Sequence, residues 1–276
     1  MRWAVRHETI YRYSVPVAFA PHVLRLCPRP DAGRLLARTL AVEPAPSEST
    51  RVEDAFGNVT ERVAFGSDRA SALRIESRFE VETCEVSLGS PEVGRLPWAA
   101  GAAEWTPFLA NPDAGPEVED FARTIARDVD HAPLAFLELL CGRLYARTDR
   151  HIRLDGAAQP PAETLSKARG ACRDIAVLFL AACRTLGIPG RFVSGYQARA
   201  ETPDGKRHLH AWPEVLLPGI GWRGWDPTHG VRVSGGHVAL CAAPDQAATM
   251  PVEGGFYFDG PAVRSTLEYT VQIESR

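Results

Sequence analysis

Cys172 is the residue whose type and surroundings most clearly suggest chemistry. It follows Gly170-Ala171 and opens the run Cys172-Arg173-Asp174-Ile175-Ala176-Val177-Leu178-Phe179-Leu180. Glycine marks the entry, and Ile175, Ala176, Phe179, Ala182, Cys183 and Leu186 then recur at helical spacing until Gly187 and Pro189. Cys172 is therefore expected at a helix N-terminus, where unpaired N–H groups and the helix dipole lower a thiol pKa. Such a thiolate is a nucleophile, and it needs a base and an acceptor that orients the base. The competing reading is a buried structural cysteine, which suits Cys183 in the same helix.

Candidates for the base lie downstream, at His208, His210 and His229. Residues 208–217 and 222–226 read as strands, joined by the turn Pro218-Gly219-Ile220-Gly221. A hairpin centred near Gly219 pairs residues whose numbers sum to about 438. His210 then faces Thr228, Asp226 faces Trp212, and His210 and Asp226 become diagonal neighbours roughly 7–8 Å apart. Two side chains close that gap, so a short turn supplies a histidine–aspartate pair. Arg173 and Asp174, in the first helical turn, are expected to orient the thiol or hold a neighbouring loop. Glu214 shares the His210 face and is expected to support it. His208 reads as a neighbour on that face, His229 as a solvated turn residue, and Trp212 and Trp225 as core. A zinc site from Cys172, His208 and His210 would suit the metal but lacks a fourth ligand. Neither a metal nor a cofactor is expected.

The elements that must position these residues fall into two halves. Val5, His7, Thr9, Tyr11 and Tyr13 alternate with polar neighbours, as do Leu73, Ile75, Ser77, Phe79, Val81 and Thr83. Asp54-Ala55-Phe56-Gly57-Asn58 carries turn chemistry. Residues 1–90 therefore read as a small β-sandwich. Residues 89–116 are rich in Gly, Pro and Ala, and 91–116 are taken as a connecting segment whose Trp98, Trp105 and Phe108 seek burial. Residues 117–276 read as an α+β core: helices over 117–129 and 133–147, the Cys172 helix, and a strand over 192–197. Thr202-Pro203-Asp204-Gly205-Lys206 is a turn, the hairpin follows, and a last strand has Leu267, Tyr269, Val271 and Ile273 on one face.

Bulk composition narrows the partners. The formal net charge is −3, which gives no case for nucleic acid. The six cysteines are scattered with no C-x-x-C spacing, so a reducing compartment and a cytoplasmic location are expected. The first residues carry no apolar run, and the longest such run, 176–183, is too short to cross a bilayer, so no membrane partner is expected. Nothing in the sequence speaks to oligomeric state.

Four motifs in order carry a resemblance: Gly170-Ala171-Cys172-Arg173-Asp174; Gly187-Ile188-Pro189-Gly190-Arg191-Phe192-Val193-Ser194-Gly195-Tyr196; His210-Ala211-Trp212-Pro213-Glu214-Val215; and Gly221-Trp222-Arg223-Gly224-Trp225-Asp226-Pro227-Thr228. Together they resemble the bacterial transglutaminase-like cysteine protease family. Tyr11-Arg12-Tyr13, Pro16-Val17, His22-Val23-Leu24-Arg25-Leu26 and the turn at 54–58 are similar to the β-domain that often precedes that core. The resemblance implies a papain-like α+β core and a triad of Cys172, His210 and Asp226. It implies acyl transfer at an amide of a peptide or protein: hydrolysis if water accepts, transglutamination if a lysine amine does. An inactive binding module of the same fold is the reading from another class, and its mark would be a broken triad. Two departures stand out. Pro213 interrupts the histidine strand and implies an edge or bulge there. Ala243-Pro244-Asp245-Gln246 stands where the family usually reads Gly-Arg-Asp-Tyr, close to the catalytic end.

Overall fold

A computed structural model describes residues 1–85, 87, 88, 93–99, 101, 103–111, 113–153, 156–199, 202, 204–260 and 262–276. Parts of the expected connecting segment, and Pro203 of the expected turn, lie outside the described residues.

The first half is strand-rich, as the alternation implies. The long strand Arg2–Phe19 pairs antiparallel with Arg69–Glu82, which pairs in turn with Arg34–Glu43. Val59–Ala64 lies between Glu48–Glu53 and His22–Leu24 in a second antiparallel sheet. Leu73, Ile75, Ser77, Phe79, Val81 and Thr83 are all buried, as their alternation requires. Trp3, Val5, Phe19, Leu24, Val63 and Leu73 belong to one core that joins the two sheets.

After the single helical turn Thr106–Leu109, three longer helices among the described residues precede the nucleophile helix. Gly115–Asp128 buries Val118, Ala122, Ile125 and Ala126, and Pro133–Arg147 buries Phe136, Leu137, Leu140, Cys141 and Leu144. The third, Pro161–Lys167, has too few apolar positions for its period to show in the sequence. The nucleophile helix, Cys172–Thr185, packs Ile175, Phe179, Ala182 and Cys183 into the core shared with the first two. Gly187 ends it at φ +77°, where a Cβ would lie 2.3 Å from the Trp98 carbonyl oxygen, so only glycine fits. Trp98 packs on this helical core, and Trp105 and Phe108 gather around Trp222.

A second five-stranded sheet, wholly antiparallel, carries the candidate base. Its order is Val231–Arg232, Gly221–Asp226, His210–Leu217, Gly190–Gln197, His237–Ala243. One face meets the helices through Val215, Leu217 and Trp225. Farther along the sheet, Tyr196, Val238 and Leu240 pack into the core of the first half. The fold is thus a mixed helix-and-sheet core wedged against a strand-rich N-terminal region.

The hairpin register obeys the expected rule as far as Gly224, but the expected pairs His210–Thr228 and Trp212–Asp226 do not form. Glu214 pairs with Gly224, Val215 with Arg223, Leu216 with Trp222 and Leu217 with Gly221. Beyond Gly224 the ladder ends, and Trp225 and Asp226 pair instead with Arg232 and Val231. This explains how Pro213 is tolerated. Leu216 N–H points to the Pro189 carbonyl on the Gly190–Gln197 side, so odd-numbered residues face the other neighbour. Pro213 faces that side just where the ladder has stopped, which makes its position a local edge.

The C-terminal strand departs from expectation. Ser265–Ser275 pairs along Arg2–Phe19, from Trp3↔Ser275 to Tyr13↔Ser265, and Val252–Glu253 pairs with His22–Leu24. Residues counted with the 117–276 core therefore complete the sheets of the first half. Among the described residues, no helix is long and apolar enough to cross a membrane.

Candidate active site

Cys172 takes the first position of its helix, after Ala171 in extended backbone. The Asp174 carboxylate accepts the Ala171 N–H at 2.8 Å, and Asp174 N–H donates to the Ala171 carbonyl at 3.0 Å. This reciprocal capping fixes the turn that presents the thiol. Asp174 is fully buried, and it also binds Arg153 at 2.7 Å and the Gln159 N–H at 2.8 Å. It therefore ties the chain on both sides of the cysteine together. Arg173 donates to the Arg153 carbonyl at 2.7 Å and so holds the same neighbouring loop.

His210 begins the strand that crosses in front of this helix end. Its Nε2 lies 2.8 Å from Asp226 Oδ2, which leaves Nδ1 for the hydrogen bond that His210 makes with Cys172. Burial would raise the Cys172 pKa, but a hydrogen bond and charge from His210, the Ala211 N–H and the charge of Arg173 outweigh it and lower it. Burial would likewise lower the His210 pKa. The charge and hydrogen bond of Asp226, then those of Cys172, raise it instead. Opposite shifts on adjacent groups favour a thiolate–imidazolium pair.

Asp226 is fully buried and accepts hydrogen bonds at both oxygens. Oδ1 takes the Thr228 N–H at 3.1 Å and the His229 N–H at 3.3 Å. Oδ2 takes three imidazoles: His210, His229 Nδ1 at 2.7 Å and His237 Nε2 at 3.0 Å. Burial alone would raise its pKa, but the His210 charge and these hydrogen bonds hold it well below the usual carboxylate range. His237 Nδ1 accepts the Ser234 N–H at 3.2 Å, so His237 is the neutral Nε2–H tautomer. Burial depresses its pKa in keeping with that state.

The structure thus brings Cys172, His210 and Asp226 into one chain of contacts, with Asp174 and Arg173 behind the cysteine. Glu214 is placed elsewhere. Its carboxylate binds Arg191, its cross-strand partner, at 2.7 Å, four residues along the strand from His210. His208 is likewise occupied, by the Tyr269 hydroxyl at 2.6 Å and Asp204 at 2.9 Å, which removes it from any zinc set with Cys172. His229 is not the free turn residue expected, for its ring lies 5.0 Å from that of His210. His237 joins the site without a local signal in the sequence. The clue to His229 is its spacing of three from Asp226, whereas His237 becomes a neighbour only through sheet pairing. His210, Asp226 and His229 have ligand atoms within 4.8 Å of one another, and one nitrogen of each histidine is hydrogen-bonded to the carboxylate, His210 Nε2 and His229 Nδ1.

Cys172 and His210 open onto a cleft of about 320 Å³ between the two halves. His7, Thr9 and Tyr11 of the first strand and Leu267 and Tyr269 of the last form one wall. Arg150, His151, Arg153 and Arg173 form the other. His7 is held between the Tyr196 hydroxyl at 2.7 Å and Thr9 at 3.1 Å, and burial lowers its pKa to about 4.

Two family models match the chain. The bacterial transglutaminase-like N-terminal region matches residues 3–82, and the transglutaminase-like superfamily matches residues 123–227. An uncharacterised protein of Mycobacterium tuberculosis is 28% identical over 296 residues, covering 99% of this chain and 92% of that one. An uncharacterised protein of Mycobacterium leprae is 24% identical over 263 residues, covering 92% of each. A crystal structure of a candidate cysteine protease from Cytophaga hutchinsonii superposes with a TM-score of 0.77 at 18% identity, over 99% of this chain and 90% of that one. At that identity the likeness is one of fold.

Proposed function

Since the chain belongs to the transglutaminase-like superfamily, with a bacterial transglutaminase-like N-terminal region before its core, we propose that it is a cysteine-dependent amide hydrolase acting on peptides or proteins. The observation that carries this reading is the continuous relay from the Cys172 thiol through His210 to a buried Asp226.

In this mechanism the Cys172 thiolate attacks the amide carbonyl carbon. The oxyanion meets the Cys172 N–H at the helix start, a donor with no acceptor inside the helix. His210 passes its Nδ1 proton to the leaving amine, and a thioester remains on Cys172. Water then enters, gives a proton to His210 and attacks the thioester, which releases the acid and restores the pair. Asp226 fixes the His210 tautomer and supports its charge throughout. Water is favoured over a lysine amine because Arg150 and Arg173 line the approach and repel a protonated amine, while no Asp or Glu among the described lining residues would attract one.

The test is turnover of a peptide library with and without an added primary amine, in the wild type and in Cys172→Ala. Hydrolysis that disappears in Cys172→Ala supports the reading. Products carrying the amine would make the protein a transglutaminase, and no Cys172-dependent reaction of either kind would leave it a binding module.

A further inference from the structure

We propose that the cleft selects an acyl donor carrying an anionic group, and that Arg150 is the residue that receives it. The inference rests on the reading of Cys172 as nucleophile. The chain as a whole carries a small excess of acid, 34 Asp and Glu against 31 Lys and Arg. Among the described residues lining the cleft, none is Asp or Glu, while Arg150, Arg153 and Arg173 line one wall.

The three arginines are not equivalent. Arg153 spends its charge on the buried carboxylate of Asp174. Arg173 is turned back onto the Arg153 carbonyl. Arg150 has a different setting. It lies in the short strand Asp149–Arg150, paired in parallel with Arg169–Gly170, and its direct partner is Gly170, two residues before the nucleophile. Its guanidinium stacks 4.2 Å from the Tyr145 ring centroid, and Nη1 donates to the Tyr145 carbonyl at 2.6 Å. Both contacts hold the group in place, and no carboxylate among the described residues pairs with it, which leaves further N–H donors in the fixed fork that fits a carboxylate. The facing wall of Tyr11, Leu267 and Tyr269 supplies apolar surface for the rest of the substrate. A fixed cation beside the nucleophile, in a cleft with one apolar wall, fits an acidic peptide segment better than a neutral or basic one.

Two small alkylating reagents of similar shape test this, anionic iodoacetate and neutral iodoacetamide, with rates read at Cys172 by mass spectrometry of its peptide. The imidazolium already favours the anion, so the readout is the change in the iodoacetate-to-iodoacetamide ratio on substitution. The ratio should fall by about threefold in Arg150→Gln and about tenfold in Arg150→Glu, less so in high salt. Arg150→Lys should keep most of it, which separates charge from packing on Tyr145. A Glu-rich hexapeptide should also protect Cys172 from iodoacetamide better than its Gln-rich counterpart. An unchanged ratio in Arg150→Glu, or equal protection by the two peptides, overturns the proposal. Slow reaction with both reagents in the wild type would instead overturn the nucleophile reading, and this inference with it.

Discussion

Replacement of Asp226 by asparagine keeps the shape of the side chain and removes its charge, and the hydrogen bonds around the carboxylate determine the cost. Both oxygens of Asp226 face donors only: two backbone N–H groups at Oδ1 and three imidazoles at Oδ2. An amide offers one acceptor and one donor. Placed with its NH2 toward the imidazoles, it confronts the Nε2–H of His237, whose other nitrogen is committed to the Ser234 N–H. Flipped, it confronts the N–H groups of Thr228 and His229. Hydrogen bonds to a charged partner contribute about 1.5–3 kcal/mol each, and local relaxation recovers part of the loss. Asp226→Asn is therefore expected to cost about 2–4 kcal/mol of stability.

The catalytic effect is separable from the loss of stability when rates are measured well below the melting transition. In the serine triad that serves as a general reference, the same change lowers turnover by about 10⁴. Here the thiolate–imidazolium pair is already favoured at rest, so less of the barrier depends on the carboxylate. A loss on the order of 10²–10³ in turnover is expected, equivalent to about 3–4 kcal/mol of barrier. The Cys172 pKa should rise with it, because a weaker imidazolium supports less thiolate. Urea unfolding, single-turnover kinetics and alkylation against pH measure the three effects. Near-normal turnover with an unchanged Cys172 titration would refute the reasoning and reduce Asp226 to a turn residue.

Other outcomes depend on single residues. Asp174→Ala removes the acceptor for the Ala171 N–H and strips Arg153 of its buried partner, so it should cost about 3–5 kcal/mol in chemical denaturation. His7 is neutral when folded, with a pKa of about 4 against 6.5 unfolded, so the unfolded chain takes up the proton first as pH falls. Its contribution is present above about pH 6.5 and lost toward pH 4, about 3 kcal/mol in all, and urea melts of His7→Gln should show a correspondingly shallower acid slope. Gly195→Ala should destabilise by more than about 3 kcal/mol or fail to fold, because its Cβ would lie 2.2 Å from the Val238 carbonyl oxygen.

Much of this was legible because it is local. The helix Pro133–Arg147 and the stripe of the Cys172 helix follow from spacing alone, and a two-strand pairing rule placed Asp226 near His210. What escaped is non-local. The face of Ser265–Ser275 is written in its alternation, but not that its partner lies at the other end of the chain. His237–Ala243 is buried on both faces, so it shows no alternation to read. Glu214 shares a face with His210 by parity, yet about 13 Å of strand separates them, and Arg191 sits directly across. The gathering of three histidines on one carboxylate oxygen needs the turn after Asp226 and the sheet edge together.

The central claim is that Cys172 is held as a thiolate by His210, and the rate of its alkylation by iodoacetamide against pH tests it most directly. The rate at Cys172 should remain high at pH 6, where a free cysteine is almost wholly protonated, and His210→Ala should return it to the profile of an ordinary thiol. A wild-type profile that rises only near pH 8.5, or one that His210→Ala leaves unchanged, would contradict the claim.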